Sequence, residues 1–428
     1  MKIMQNIFFR VVVLLLLGGI IYACSPRIEQ HFLSKEEIRT IPVEYETSAR
    51  LHEMNNKRAC KDYEAYMPDT NYLDHFPIKQ IRINFHWMNS ADSSQNYNEK
   101  DALYFTKGLL HAMNYDLNKN NKMWLPHNND TPVLPNPYRL VLTPRPNDPD
   151  DDGIYFHFDD ELYYYVVRGK NANLYDREVF KKYGVQLDTV LNIFIMPHHP
   201  DSVASPTYAV HGTGIALGNS IKVAGIHVAY NSFWGFRGTF NHEVGHILGL
   251  SHTWAYNDGC DDTPQHDQQC WNRGQGNGCD SLTSNNVMDY NAMQHAWSPC
   301  QVGKIQMRLS DETSRQRKYL IPNWCELHED RHIHIRDTIV WAGMKDLEGH
   351  LTIEPGGMLT IKCRVSLPKD AKITVKAGGT LIVDEGRLHN ACGDQWQGIE
   401  IEQIGSSKGA VTFLGEVKVE NVLNEVKN

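Results

Sequence analysis

His242, Glu243 and His246 stand in the order His-Glu-x-x-His, and Gly249 and His252 follow. Histidines four apart lie one above the other on a helix face, so both imidazoles can reach one metal ion. Glu243, next to the first histidine, can hold a water at such an ion and take its proton. Gly249 is placed to stop the helix, because glycine accepts the left-handed conformation that reverses the chain after a last turn. The reversal would bring His252 back as a third ligand and leave a fourth tetrahedral position open. An open position separates a catalytic zinc from a structural one. At this histidine content a bare His-Glu-x-x-His arises by chance in roughly a few per cent of chains of this length. Requiring the glycine and the third histidine lowers that to on the order of 1 in 10,000.

The full pattern resembles the metzincin zinc endopeptidases, whose helix reads H-E-x-x-H-x-x-G-x-x-H and whose later loop carries a methionine turn. Asn286-Val287-Met288-Asp289-Tyr290 matches that turn. Within the clan the chain is similar to the pappalysin and cytophagalysin-like group. The residues that carry the likeness are His252-Thr253-Trp254, Cys260-Asp261-Asp262-Thr263-Pro264 and Met288-Asp289-Tyr290. Trp254 stands where the group usually has Phe, and the acidic stretch before Thr263 is shorter than usual.

That resemblance implies a zinc endopeptidase acting on a protein or peptide. His242, His246 and His252 would ligate Zn²⁺, and Glu243 would be the general base. Met288 would form an apolar floor, and Tyr290 would donate a hydrogen bond to the tetrahedral oxyanion. Structural Ca²⁺ is a second candidate ion. The resemblance also implies crossed disulfides, Cys260 with Cys279 and Cys270 with Cys300, pinning the Gly- and Asn-rich loop between Asn272 and Asn286. A zinc site on those cysteines would want a C-x-x-C pair, which their spacing lacks. Asn291, Gln294 and His295 are candidates for the floor of the specificity pocket.

The chain opens with Lys2 and Arg10, an apolar run from Val11 to Ala23, and Ile21-Tyr22-Ala23-Cys24 at its end. The run is short for a membrane span and fits a secretory signal. A small residue before Cys resembles a bacterial lipoprotein cleavage site, with residues 1–23 removed and Cys24 lipidated. The alternative is an ordinary signal peptide or a signal anchor with an incidental cysteine. The lipoprotein reading places the protein outside the cytoplasm, anchored to a bacterial membrane on a periplasmic or cell-surface face. Removing residues 1–23 takes away Lys2 and Arg10 and no acids, moving the formal charge from -9 to -11. That balance argues against nucleic acid as a partner. Of nine cysteines, eight remain after Cys24, an even number suited to an oxidising compartment.

Residues 24–75 are polar and without a sustained period, and read as a spacer or pro-segment. Arg58-Ala59-Cys60 resembles the Arg-x-Cys unit by which some relatives keep the zinc blocked through a thiolate, with Lys61 where they usually have Gly; a disulfide from Cys60 to Cys325 is the plainer option. Residues 76–325 read as the catalytic domain. Alternation from Gln80 to Met88 predicts a strand, and Lys100 to Tyr115 has helical spacing. Tyr138 to Thr143, Gly153 to Phe158, Leu191 to Met196 and Lys222 to Tyr230 read as further strands, with a last helix at Val302 to Leu309. The acidic loop Asn147 to Asp152 reads as a solvated turn, with calcium as the alternative. His86, His198 and His199 lack ligand-spaced partners.

In residues 334–428, Leu351 to Ile361 recurs as Ile373 to Val383, strand, Gly-Gly corner and strand, at an offset of 22 residues. This is the pattern of a parallel β-solenoid, against the alternative of a β-sandwich with a coincidental echo. Cys363 and Cys392 could pair across adjacent coils. No carboxylate or histidine cluster stands out there, so the region reads as a binding or spacing module for a protein or glycan. The fold class expected is α+β: a metzincin-type domain of twisted sheet, zinc helix and lower subdomain, then the solenoid-like region. The rival to a peptidase is a zinc-bearing, non-proteolytic adhesin that binds through its C-terminal region.

Overall fold

The computed structural model describes residues 27–44, 60–93, 96–128, 130–165, 178–206, 213–227, 232–254, 258–263, 270, 278–291 and 293–423. The leader, Cys24, Pro264 and residues 272–277 of the Gly- and Asn-rich loop lie outside them. The chain forms two units, Arg58–Asn323 and a second that joins Met1–Lys57 to Trp324–Asn428.

The Arg58–Asn323 unit is built on a mixed sheet. Lys79–Asn89 is its long strand; Tyr138–Leu142 pairs with its first half and Ile154–Phe158 with its second, both parallel. Leu191–Met196 and Ser220–Ala224 continue the parallel order, and Thr213–Ala216 closes the edge antiparallel. Phe85 and Trp87 turn toward two helices, where Phe85 meets Phe240 and the Trp87 indole N–H donates to the Thr106 hydroxyl at 3.0 Å. Met88, next along the strand, joins a second core with Phe180, Phe194 and Met196 on the opposite face. Both faces are covered although the sequence alternates, because the polar residues of the second face are paired: Asn84 donates to the Val185 carbonyl at 3.3 Å and His86 bonds Asn192 at 2.9 Å.

The first of those helices, Glu99–Asn118, starts where the Asn98 side chain accepts the Asp101 N–H, with Glu99 and Asp101 in the first turn. Both features favour a helix start, one by satisfying a free donor and one by opposing the helix dipole. Ala102, Phe105, Leu109, Ala112 and Met113 are its buried stripe. The second, Phe233–Ile247, carries Phe236, Phe240, Val244 and Ile247 inward. The Asn241 amide joins the two by donating to the Met113 carbonyl at 3.2 Å. A third helix, Pro299–Ser310, begins with a capping box between Ser298 and Gln301 and has Pro299 in its first turn.

Residues 24–75 divide between the units. Tyr63–Tyr66 packs on the Pro299–Ser310 helix at Gly303, where a Cβ would meet the Tyr63 carbonyl and the Met67 side chain. Ile28–Phe32 and Val43–Glu44 are instead strands of the other unit.

That other unit consists of three parallel sheets. Ile333–Ile335, Leu351–Ile353, Lys372–Val375 and Gly398–Ile404 lie side by side in the first, with Ile28–Phe32 antiparallel on its edge. Thr338–Trp341, Met358–Ile361, Thr380–Asp384 and Ala410–Leu414 form the second; Lys345–Asp346, Arg364–Ser366, Arg387–His389 and Lys418–Val419 form the third. Leu351 pairs with Ile373 and Ile353 with Val375, the register the 22-residue echo requires. Ile333, Leu351, Ile373 and Ile399 make one buried apolar row. Gly356 and Gly378 turn the corners with φ of 82° and 84°. Cys392 pairs with Cys325, which corrects both the Cys60–Cys325 and the Cys363–Cys392 expectations. The Lys369 N–H bonded to the Cys325 carbonyl shows why: the loop at Lys369 holds Cys325 beside the later repeats.

Candidate metal centre

Three imidazoles converge as the spacing predicts. His242, His246 and His252 point their Nε2 atoms at a common centre, each pair 3.1 Å apart. Two tautomers are set from outside: His242 Nδ1–H donates to the Val287 carbonyl at 2.7 Å and His246 Nδ1–H to the Leu250 carbonyl at 2.9 Å. Their Nε2 lone pairs are therefore free for an ion. Burial first, then the His246 charge, holds His242 down at about 3; burial and His246 hold His252 near 4. The group is thus neutral at pH 7, the protonation state that ligation needs.

This donor set fits zinc. Tetrahedral zinc at about 2.0–2.1 Å from each imidazole nitrogen calls for nitrogens roughly 3.3 Å apart, close to what the three rings offer. The chain reversal at Gly249 brings this about. With φ at 89°, Gly249 lets the Leu250 N–H reach the Gly245 carbonyl at 3.0 Å and returns His252 to its partners.

Met288 is fully buried beneath the helix. A Cβ on Gly245 would strike its sulfur, so the absence of a side chain there lets helix and methionine turn close up. The Met288 carbonyl accepts the Thr253 N–H at 3.2 Å, and the Asn286 side chain accepts the Met288 N–H at 2.8 Å. Tyr290 packs edge-on against His252 at 4.8 Å between ring centres, with Trp254 stacked on the same histidine at 4.7 Å. Trp254 thereby fills the position where the resembled group usually has Phe.

Glu243 lies beside the triad, buried, with Oε2 lacking any hydrogen-bond partner among the described residues. Burial pushes its carboxyl up to about 8, against the opposing hydrogen bond from the Ala216 N–H. The edge strand Thr213–Ala216 passes so close that a Cβ on Gly214 would meet the Glu243 side chain. Sequence reading missed this strand and the roles of Gly214 and Ala216. The usable signal was Gly218-Asn219 between two apolar stretches, a two-residue hairpin turn.

Of the three candidates for the specificity pocket, Gln294 lies against Gly238, one helical turn before His242. Its amide also donates to the Asp289 carbonyl at 2.8 Å. Asn291 is spent on the Asn286 carbonyl, and His295 meets Trp124 edge-on.

The cysteines around the turn are bonded differently from expectation. Cys260 pairs with Cys300 and Cys270 with Cys279, nested and not crossed. Asp262 explains the first: its carboxylate accepts the Cys300 N–H at 2.9 Å and brings Cys260 against the start of that helix. In the described part of the acidic loop, Asp258 to Thr263, Asp258 is committed to protein partners. Asp258 is used by the Cys260 N–H and the Thr263 hydroxyl, and the Lys304 ammonium donates to the Asp258 carbonyl at 2.6 Å. Asp151 in the acidic loop is likewise taken by Arg145, Tyr155 and the Gly153 N–H. Cys60 is disulfide-bonded, so it has no thiolate to block a zinc. His86, without a ligand-spaced partner in sequence, is buried against His157, Asn84 and Asn192.

Residues 188–310, which hold the triad and the methionine turn, match the model of peptidase family M43, pregnancy-associated plasma protein-A. The match supports a metallopeptidase. No curated protein matches the chain. Among solved structures, mature mirolysin from Tannerella forsythia in complex with a cleaved peptide is similar at 17% identity and a TM-score of 0.42, covering 56% of this chain and 95% of that one. A promirolysin mutant from Tannerella forsythia is similar at 16% identity and a TM-score of 0.42, covering 68% and 95%.

Proposed function

We propose that the chain is a zinc endopeptidase, exported and lipid-anchored through Cys24. The observation that carries the reading is the convergent Nε2 triangle with the buried Glu243 carboxylate beside it, one of its oxygens without a partner among the described residues. A purely structural zinc site has no use for that carboxylate. His242, His246 and His252 would hold Zn²⁺, which when bound supplies a Lewis acid for the scissile carbonyl and makes water more acidic.

The chain's own groups do the rest. Glu243, its Oε1 side steadied by the edge strand, takes the proton of the attacking water and returns it to the leaving amine. Burial raises its affinity for a proton, which suits retention of the proton until the amine leaves, while the charge of bound zinc would favour the carboxylate that the first step needs. Tyr290, against His252, donates its phenol hydrogen to the developing oxyanion. Met288 keeps the floor of the site dry and apolar. The substrate class is protein or peptide. Export is supported by the Val11 to Cys24 run and by eight disulfide-bonded cysteines. The recurring strands of the C-terminal unit support a parallel β-solenoid reading, as a docking or spacing module.

Glu243→Gln tests the reading. Zinc content should persist while casein or peptide turnover falls about 10²–10⁴-fold, the usual contribution of a general base. Thermal stability should hold or rise, because a buried carboxylate is replaced by a neutral amide. Wild-type protein that holds zinc yet cleaves nothing in a broad peptide library would instead favour the adhesin.

A further inference from the structure

The last strands of a stack of parallel coils present a row of free N–H and C=O groups, which a terminal segment of different sequence has to cover. Here Gly398–Ile404 and Ala410–Leu414 are covered by residues from the other end of the chain. Ile28–Phe32 runs antiparallel along the edge of Gly398–Ile404, with Ile28 opposite Ile404 and Phe32 opposite Glu400. The Leu33 N–H extends that ladder to the Ile399 carbonyl at 2.8 Å. The chain then crosses by the short helix Lys35–Thr40, closed at its start by reciprocal bonds between Ser34 and Glu37. Val43–Glu44 follows, parallel to Phe413 and Leu414 in the second sheet. Six residues are too few for a helix to persist alone, so the two strands hold it in place. Side chains add to the fit. Gln30 donates to the Glu402 carboxylate at 3.3 Å, and Lys372, paired with Glu400 at 2.9 Å, lies over the Phe32 ring at 5.9 Å.

We infer that the end of the C-terminal unit is a docking surface for the chain's own residues 27–44, one that keeps the chain on its N-terminal anchor when the link through residues 45–57 is cut. No cysteine lies between residues 25 and 57, so after such a cut no disulfide holds the piece and the ladder must. In strand addition the main-chain bonds supply affinity and alternate side chains supply register. Leu33 and Ile399 are a hydrogen-bonded pair, so alternation makes His31 with Ile401 and Glu29 with Gln403 the other two and turns the Ile28 N–H outward. Residues 27–44 are then a working part of the folded protein and not a piece discarded on activation. The docking rests on strand pairing alone; its use as a tether rests also on the proposed anchor at Cys24.

A recognition site for a sequence-specific protease, placed within residues 45–57 of the full chain, tests the docking. After cutting, the N-terminal piece should co-elute with the remainder on gel filtration in detergent; a piece that elutes separately overturns the proposal. His31→Pro removes a ladder donor and should speed release of the cut piece about tenfold or more, the effect of a lost bond and an unmet carbonyl. Ile28→Pro, at the strand's first residue with its N–H outward, should not. Equal release from the two variants overturns strand pairing as the cause. A synthetic peptide of residues 27–44 gives a readout free of any folding defect in the chain: in excess it should displace the cut piece, and its His31→Pro form should not. A peptide that displaces no better than its proline form overturns the docking. In cells the cut chain should stay in the membrane fraction and the cut His31→Pro chain should leave it. If the uncut chain is itself soluble, the Cys24 anchor falls, while co-elution still decides the docking.

Discussion

At the scale of single residues, the centre is organised by what surrounds each side chain. His242 and His246 owe their tautomers to the carbonyls of Val287 and Leu250, one of them on the methionine turn. Glu243 is held away from water with one oxygen unpartnered, a strained arrangement that stability alone would not select. Tyr290 packs its ring edge-on against His252. Tyr290→Phe keeps the ring and removes the donor. It should lower kcat about 10²–10³-fold with KM nearly unchanged, as loss of one oxyanion donor does. Steady-state kinetics on a peptide substrate would show it, and an unchanged kcat would remove Tyr290 from the chemistry.

At the scale of elements, two glycines decide whether the helix can serve as a metal platform. Gly245 lets Met288 rise against the helix, and Gly249 turns the chain in the left-handed region. Gly249→Ala meets a backbone that alanine adopts only at a cost of about 1–3 kcal/mol. The Arg308 side chain also occupies the place of the new methyl. The expected outcome is weaker zinc retention against a chelator together with a lower melting temperature, because His252 is carried by the reversal. If zinc retention were unchanged, His252 would be held by the following segment and not by the turn. The nested disulfides act at this same scale: Cys260–Cys300 ties the stretch after His252 to the helix that follows the methionine turn.

For the whole molecule, buried neutral histidines set the response to acid. Burial holds His86 well below its ordinary value, His157 near 4 and His227 near 3. In the unfolded chain each titrates near 6.5. Between those values the unfolded state binds more protons, so stability is intact above about pH 6.5 and is lost as pH falls toward 3–4. The loss is up to about 1.4 kcal/mol per pH unit for each histidine. Urea unfolding of the chelator-treated protein from pH 7 to 4.5 should show a falling midpoint; a flat profile would mean that these histidines are hydrated in the folded state.

Local chemistry made the triad, Glu243, Gly249 and the methionine turn legible in the sequence, since ligand spacing on a helix and a glycine reversal depend on neighbouring residues. The 22-residue echo was legible for the same reason: each repeat places the same side chains at the same corners. What lay beyond reach depended on partners distant along the chain. Disulfide pairing turned on Asp262 reaching the start of a helix at Cys300. The support of Glu243 came from an edge strand too short and too small-residued to announce itself. Sequence determines which groups can act through their near neighbours; tertiary structure decides which distant groups meet, because register and packing, not spacing, bring them within bonding distance.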